Sequence, residues 1–356
     1  MDEIVEVFQI PEFNREAAAR EKSQSEVEIS STVAIQLRDF VSAIADTYID
    51  NPFHNFEHAC HVAMSVDKLL GRIIAPDIDE TADAANHTSM AFHLHDYTYG
   101  ITSDPLSVLA IVFSALIHDV DHRGVSNMQL AIEDEKLAAK YSKSIAEQNS
   151  MDIAWALLMT DEYAELRSAL FCTRSEMMRF REVVVNIVLA TDIFDKELND
   201  VRKKRWEQAF SNKEDRQLTS QENKLRATII IEYIMQASDV CHTMQHWQVY
   251  RKFNERLFME LRAAFKAGRM GKDPAEFWVK GEIGFFDNYI IPMAKKLAEC
   301  KVFGVSSDEY LNYAISNRNE WEARGQECLD EMLAKDDGKG GTHSDCVDDT
   351  VGVTDV

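Results

Sequence analysis

Leu106-Ser107-Val108-Leu109-Ala110-Ile111-Val112-Phe113-Ser114-Ala115-Leu116-Ile117 runs directly into His118-Asp119-Val120-Asp121-His122. The apolar part, broken only by Ser107 and Ser114, is shorter than the roughly 20 residues a membrane span needs. Asp104-Pro105 before it has the form of a helix start, with Asp as cap and Pro in the first turn. The stretch therefore predicts a buried helix that delivers four groups able to bind a metal or move a proton. On a continuing helix His118 and His122 share a face, and Asp119 and His122 share the neighbouring one. Ionisable side chains joined to an apolar helix are costly to bury unless paired or coordinated to metal. The first expectation is a metal-dependent hydrolase.

The rest of the chain also reads as helix. Among 356 residues there are 13 Gly and 6 Pro, well below the usual levels of about 7% and 5%. No Asn-Gly or Pro-Gly pair occurs, and Asp-Gly and Gly-Gly are confined to the C-terminal tail; hairpins need such pairs. The expected fold class is all-α. Apolar periodicity from Val33 to Ile44 ends near Asp50-Asn51-Pro52, and a second helix is expected from Phe53 to Ile74. Pro76 to His87 and residues 211 to 223 read as loops. Ile145 to Met159, Val249 to Ala267, Asp287 to Glu299 and Asp308 to Arg324 read as helices. Glu182 to Ala190 and Ala227 to Ile231 could be strands by composition, but no turn residues flank them, so helix is expected. The domain boundaries follow: a polar segment or linker over 1–30, one helical domain over 31–335, and a disordered tail over 336–356.

A net charge of −23 opposes binding to nucleic-acid phosphates. It does not oppose a small anionic substrate where divalent cations reverse the local sign. The six cysteines are scattered with no Cys-x-x-Cys, which suits reduced thiols in the cytoplasm. Met1-Asp2-Glu3-Ile4 lacks the features of a signal peptide. The expected location is cytoplasmic, or the cytoplasmic domain of a membrane protein, with no span in this segment.

Two further segments complete a donor set. In Asn51-Pro52-Phe53-His54-Asn55-Phe56-Glu57-His58 the two histidines are four apart and would project from one helical face. The peptidase motif of that spacing needs Glu directly after the first His, and Asn55 stands there. Asp239, in Gln236-Ala237-Ser238-Asp239, closes a long apolar helix. His58, His118, Asp119 and Asp239 together offer nitrogen and carboxylate without thiolate, which suits Zn, Mn, Fe or Mg. Two carboxylates allow one to bridge a metal pair that activates water and clamps a phosphoryl group.

These residues closely resemble the class I cyclic nucleotide phosphodiesterases, over roughly Asn51 to Trp321. The resemblance rests on His-Asn-x-x-His at 54–58, His-Asp-x-x-His with Asn at 118, 119, 122 and 127, Leu-Ala-Thr-Asp at 189–192, Ala-x-Asp at 237–239 and Gly284-Phe285-Phe286-Asp287. It implies a compact multi-helix catalytic domain of the HD type that hydrolyses 3′,5′-cyclic nucleotides to 5′-monophosphates, ending their signalling. It implies two divalent ions, Zn2+ and Mg2+ with Mn2+ an alternative, on His58, His118, Asp119 and Asp239. A nucleophile derived from water attacks phosphorus and His54 protonates the departing O3′. His122, Glu147 and Thr191 would hold metal-bound waters. Asp192, Ile193, His242, Leu257, Glu282 and Phe285 would form the base pocket, Phe285 stacking on the purine opposite Leu257. The partners implied are the nucleotide itself, a larger signalling protein of which this is a domain, and a second copy in an oligomer.

The chain departs from the family at three places. Glu282 stands where the family has a purine-binding glutamine, His61 where it usually has aspartate, and Asn149-Ser150 where it usually has a histidine pair. An ionised carboxylate only accepts hydrogen bonds, and guanine offers adjacent donors at N1 and N2, so Glu282 favours cGMP over cAMP. The competing readings are a different His-Asp metal phosphohydrolase, which would lack His54 and the stacking Phe285, and a non-catalytic nucleotide sensor, in which Glu282 marks lost substrate binding.

Overall fold

The computed structural model describes residues 6–16, 28–73, 85–210, 218–303 and 306–338, and among them there is helix and no strand. In order, the helices are α1 (Ser31–Asp46), α2 (Phe56–Gly71), α3 (Ala85–Tyr97), α4 (Pro105–Ile117), α5 (Asn127–Glu133), α6 (Glu135–Lys140), α7 (Ile145–Leu158) and α8 (Ala164–Leu170). They continue as α9 (Arg174–Leu189), α10 (Lys196–Phe210), α11 (Ser220–Asp239), α12 (Trp247–Lys266), α13 (Trp278–Phe285), α14 (Ile291–Glu299) and α15 (Ser306–Asp336).

The apolar helix α4 is the hub, packed against α2, α9 and α11. Its Ala110, Ile111, Ala115 and Ile117 are wholly buried. Asp104 precedes it as expected, but its carboxylate accepts from Ser107 and Arg179 and does not cap the helix. The two strand-like segments are helices. Every residue from Val183 to Leu189 in α9 and from Ala227 to Ser238 in α11 is buried. A helix covered on all sides loses its apolar stripe, so its sequence has no period to read. Thr173 with Glu176, and Thr219 with Glu222, start these helices with reciprocal capping boxes. The second box corrects the loop expected over 211–223: Ser220 to Asn223 form the first turn of α11, while 211–217 lie outside the described residues. Of the loop expected over Pro76 to His87, 74–84 lie outside the described residues, and Ala85 to His87 are helical.

Within the segment expected as a polar linker, Phe8 and Ile10 reach the core, and the Phe8 N–H donates to Thr228 Oγ1 at 2.8 Å. α15 is longer than the expected Asp308 to Arg324; beyond it, 339–356 lie outside the described residues. Between α13 and α14 a wider π turn spans Phe286–Ile290. Among the described residues no helix is long and apolar enough to cross a membrane.

Candidate active site and metal centre

Both histidine motifs sit where helices break. α2 begins at Phe56, three residues later than expected, with Asn55 as its cap accepting the His58 N–H at 3.0 Å. His54 therefore lies in the turn before the helix and shares no helical face with His58. α4 stops at Ile117, so residues 118 to 122 form a turn and the helical-face reading of His118, Asp119 and His122 is corrected as well. Asp121 takes a positive φ of 58° in that turn, and its N–H donates to Thr47 O at 3.2 Å. His118 is the C-cap of α4 and keeps helical dihedrals, Asp119 follows it in the turn, and the two side chains meet at one point. Asn51 ties the motifs together, its Nδ2 donating to His54 O at 3.1 Å and His122 O at 2.6 Å.

At that point His118 Nε2 lies 3.0 Å from Asp119 Oδ2 and 3.3 Å from Asp239 Oδ1. His58 Nε2 lies 3.2 Å from Asp239 Oδ1 and 3.6 Å from Asp119 Oδ2. His118 Nδ1 donates to Ala115 O at 3.0 Å, which leaves Nε2 as the free lone pair. Despite the short distances, His118 Nε2 is a buried atom with no aligned hydrogen bond, while His58 Nε2 meets Asp239 Oδ1 in hydrogen-bond geometry. Nitrogen and carboxylate atoms converging on one point, with a buried imidazole nitrogen left unpartnered, are what a divalent-cation site presents. Ligating atoms of His58, His118 and Asp239 lie within 4.8 Å of one another; Asp119 approaches the histidines but falls outside that mutual set. Burial alone would raise Asp119 and Asp239, but the imidazoles of His118 and, respectively, His54 and His58 hold both carboxyls far below the usual range. The set could hold a cation.

A second trio, His54, His122 and Glu260, is equally tight, but in it His54 and Glu260 form a hydrogen-bonded relay and His122 packs against the His54 ring. Glu260, buried in α12, uses Oε2 to accept the backbone N–H groups of Phe53 at 2.9 Å and His54 at 3.0 Å, and Oε1 to meet His54 Nδ1. Both of its oxygens are occupied. Burial would lower the His54 pKa, yet Glu260, and then Asp119, outweigh it and raise it to about 9. Burial and the charge on His54 together push His122, whose ring lies 3.8 Å from that of His54, down to about 4. His54 is thus the charged ring of the pair. Gly124, at φ 65°, lets the turn pass this relay: a Cβ there would lie 3.3 Å from Glu260 Cγ.

Sequence reasoning missed Glu260. The available signal was a lone carboxylate among Phe258, Met259 and Leu261, where a charge needs a partner.

The other expected residues divide. Glu147 accepts from Asn127 at 2.9 Å, and burial, then Asp192, raises its carboxyl to about 7. Thr191 spends its hydroxyl proton on Val188 O. Asp192 is enclosed by the protein: one oxygen accepts from Ser144 and Asn127, the other from the N–H groups of Phe194 and Asp195. The Ile193 carbonyl accepts from Asn199 at 2.7 Å. His242 stacks on Phe253 at 5.2 Å with its Nδ1 buried and unpartnered, and burial drops it to about 3. Leu257 is partly buried against the core. Phe285 stacks on Tyr289 at 5.3 Å and 13°. Glu282 is buried and accepts from Tyr250 and Asn254, each at 2.8 Å.

The chain matches the family model described as 3′5′-cyclic nucleotide phosphodiesterase over residues 53–302. It is 25% identical over 288 residues to the probable 3′,5′-cyclic-AMP phosphodiesterase pde-4 of Caenorhabditis elegans, a match covering 78% of this chain and 38% of that protein. It is 22% identical over 296 residues to the cGMP-specific 3′,5′-cGMP phosphodiesterase 3 of Dictyostelium discoideum, covering 81% of this chain and 55% of the other. The chain thus spans 38% of the length of the first relative and 55% of the second. Among solved structures, the phosphodiesterase domain of the RhoPDE fusion protein from the choanoflagellate Salpingoeca rosetta superposes with a TM-score of 0.64 at 19% identity, over 92% of this chain and 96% of that one. The last likeness is one of fold.

Proposed function

The chain belongs to the 3′5′-cyclic nucleotide phosphodiesterase family, and from that premise we propose that it hydrolyses 3′,5′-cyclic nucleotides to 5′-nucleoside monophosphates. The observation that carries the reading is His54, fixed at Nδ1 by Glu260, beside the convergent cluster of His58, His118 and Asp239.

In this mechanism His58, His118, Asp119 and Asp239 would hold the divalent cations, zinc and magnesium being the proposed pair. The cations supply activation of water and a sink for the charge that gathers on the phosphoryl oxygens. His54 does the proton work. Because Glu260 holds Nδ1, the proton on Nε2 is the one available to O3′ as the P–O3′ bond breaks and the water oxygen bonds to phosphorus. The product carries a 3′-hydroxyl and a 5′-phosphate, and a proton released by the attacking water restores His54. His122, neutral and stacked against His54, keeps that ring in place without competing for its proton. Glu147 and Thr191 orient waters at the site, and Phe285 stacks on the base.

The names of the two relatives divide between cAMP and cGMP, so selectivity rests on this chain's own residues. An ionised Glu282 accepts from guanine N1–H and N2–H, which favours cGMP. The test is hydrolysis of both nucleotides with magnesium, then with chelator, products separated chromatographically. Chelator-sensitive release of 5′-monophosphate supports the proposal. A metal-loaded protein that turns over neither nucleotide refutes it and points to a sensor.

A further inference from the structure

Glu282 is held by one oxygen only. Its Oε2 accepts the Tyr250 hydroxyl and Asn254 Nδ2, each at 2.8 Å. The direction of the Asn254 amide is fixed from behind, because Trp278 Nε1 donates to Asn254 Oδ1 at 3.2 Å, which commits Nδ2 to Glu282. Two donors fill both lone pairs of Oε2. Among the described residues Oε1 has no hydrogen bond, so any proton on this carboxyl resides on Oε1, the atom left for a ligand.

Resting on the activity proposed above, we propose that Glu282 reads the base through Oε1 in two forms, a proton donor and a proton acceptor, so that the preference between adenine and guanine reverses with pH. As a neutral acid, Oε1–H donates and suits adenine N1, which is an acceptor. As a carboxylate, Oε1 accepts and suits guanine, whose N1–H and N2–H can converge on one oxygen.

The surroundings allow both forms near neutrality. Burial raises the Glu282 carboxyl to about 7, opposed by the bonds from Tyr250 and Asn254. No charged side chain sets that balance. The other titratable groups facing it, Tyr250 of α12 and, behind that phenol, Cys328 of α15, both titrate above their ordinary values and stay neutral there. Lys280 on its own helix and Glu276 in the preceding turn are exposed, and Asp287 of the π turn is engaged by Arg318 of α15.

The experiment is the ratio of kcat/KM for cGMP to that for cAMP, followed across neutral pH with the metal-loaded protein. A ratio cancels every titration the two substrates share, including that of His54 and the metal ligands. The expected result is a ratio that climbs about tenfold as pH rises through the Glu282 titration, the cost of one mismatched hydrogen bond to a charged group. In Glu282→Gln the ratio should be flat, since an amide does not titrate. A flat ratio in the unmodified protein, or a slope that survives in Glu282→Gln, overturns the proposal. Loss of turnover with both nucleotides overturns the proposed activity instead. The proton is then sought directly, as a protonated-carboxyl stretch in infrared difference spectra against Glu282→Gln. Its presence on the acid side of neutrality upholds the two-form carboxyl, and its absence there overturns it.

Discussion

Replacing Glu282 by glutamine should stabilise the protein at alkaline pH and do progressively less as the pH falls. Burial raises this carboxyl from 4.5 to about 7. An acid whose folded pKa is raised holds its proton more tightly folded than unfolded, so ionisation destabilises the fold. Below about pH 4.5 both states are protonated and there is no penalty; above about pH 7 the penalty is complete. The gap of about 2.5 pH units is worth about 3 kcal/mol at about 1.4 kcal/mol per unit. By linkage about 1.4 kcal/mol of this is present at about pH 5.5 and about 3.3 kcal/mol at about pH 8, a difference of about 2 kcal/mol. Glutamine keeps the clamp, because its carbonyl oxygen accepts from Tyr250 and Asn254 as Oε2 does, and it carries no charge. Thermal melts of the two proteins should therefore separate by about 4 °C more at the higher pH than at the lower, taking about 2 °C per kcal/mol for a large domain. Urea midpoints should follow. A separation that is constant with pH would show that folding does not raise the Glu282 pKa and would refute the reasoning.

Asp239→Ala should abolish hydrolysis while far-ultraviolet circular dichroism stays that of the native fold, because it removes a carboxylate that both His58 and His118 approach; near-normal turnover would rule out the cation site. Glu260→Gln keeps an oxygen for the N–H groups of Phe53 and His54 but removes the charge facing Nδ1. It should lower kcat about tenfold or more with little change in KM, a part of the about 100–10,000-fold that a positioned acid contributes. Trp321→Ala should cost about 3–5 kcal/mol in urea unfolding, since Trp321 is wholly buried against Trp247 and Tyr250 and donates to Val279 O.

The helical class was legible from absent turn residues, and motif order pointed to His58, His118 and Asp239, which the fold brings together. What could not be read was where helices stop. Nothing in His118-Asp119-Val120-Asp121-His122 announces that the helix ends at Ile117. The break depends on Asp121 reaching Thr47 O, seventy-odd residues away in sequence. The same holds for Phe53-His54-Asn55: Asn55 can cap or continue a helix, and tertiary bonds to Glu260 decide. α9 and α11 were ambiguous for a different reason, since total burial erases periodicity. Glu260, Tyr250 and Asn254 were missed because their meaning lies in partners 28 to 207 positions away in the chain.

Those three residues belong to one helix. Tyr250 and Asn254 anchor Glu282, the group proposed to read the base, and Glu260 anchors His54, the ring proposed to protonate the leaving oxygen. From 250 to 260 an α-helix advances about 15 Å, so α12 acts as a ruler laid between two ends of one small ligand. Its opposite side, with Arg251, Lys252, Glu255 and Arg256, lines an open groove on the surface. Anything that slid or rolled this rod would displace both anchors at once, so a molecule built this way gives up recognition and proton delivery together and cannot easily lose one alone.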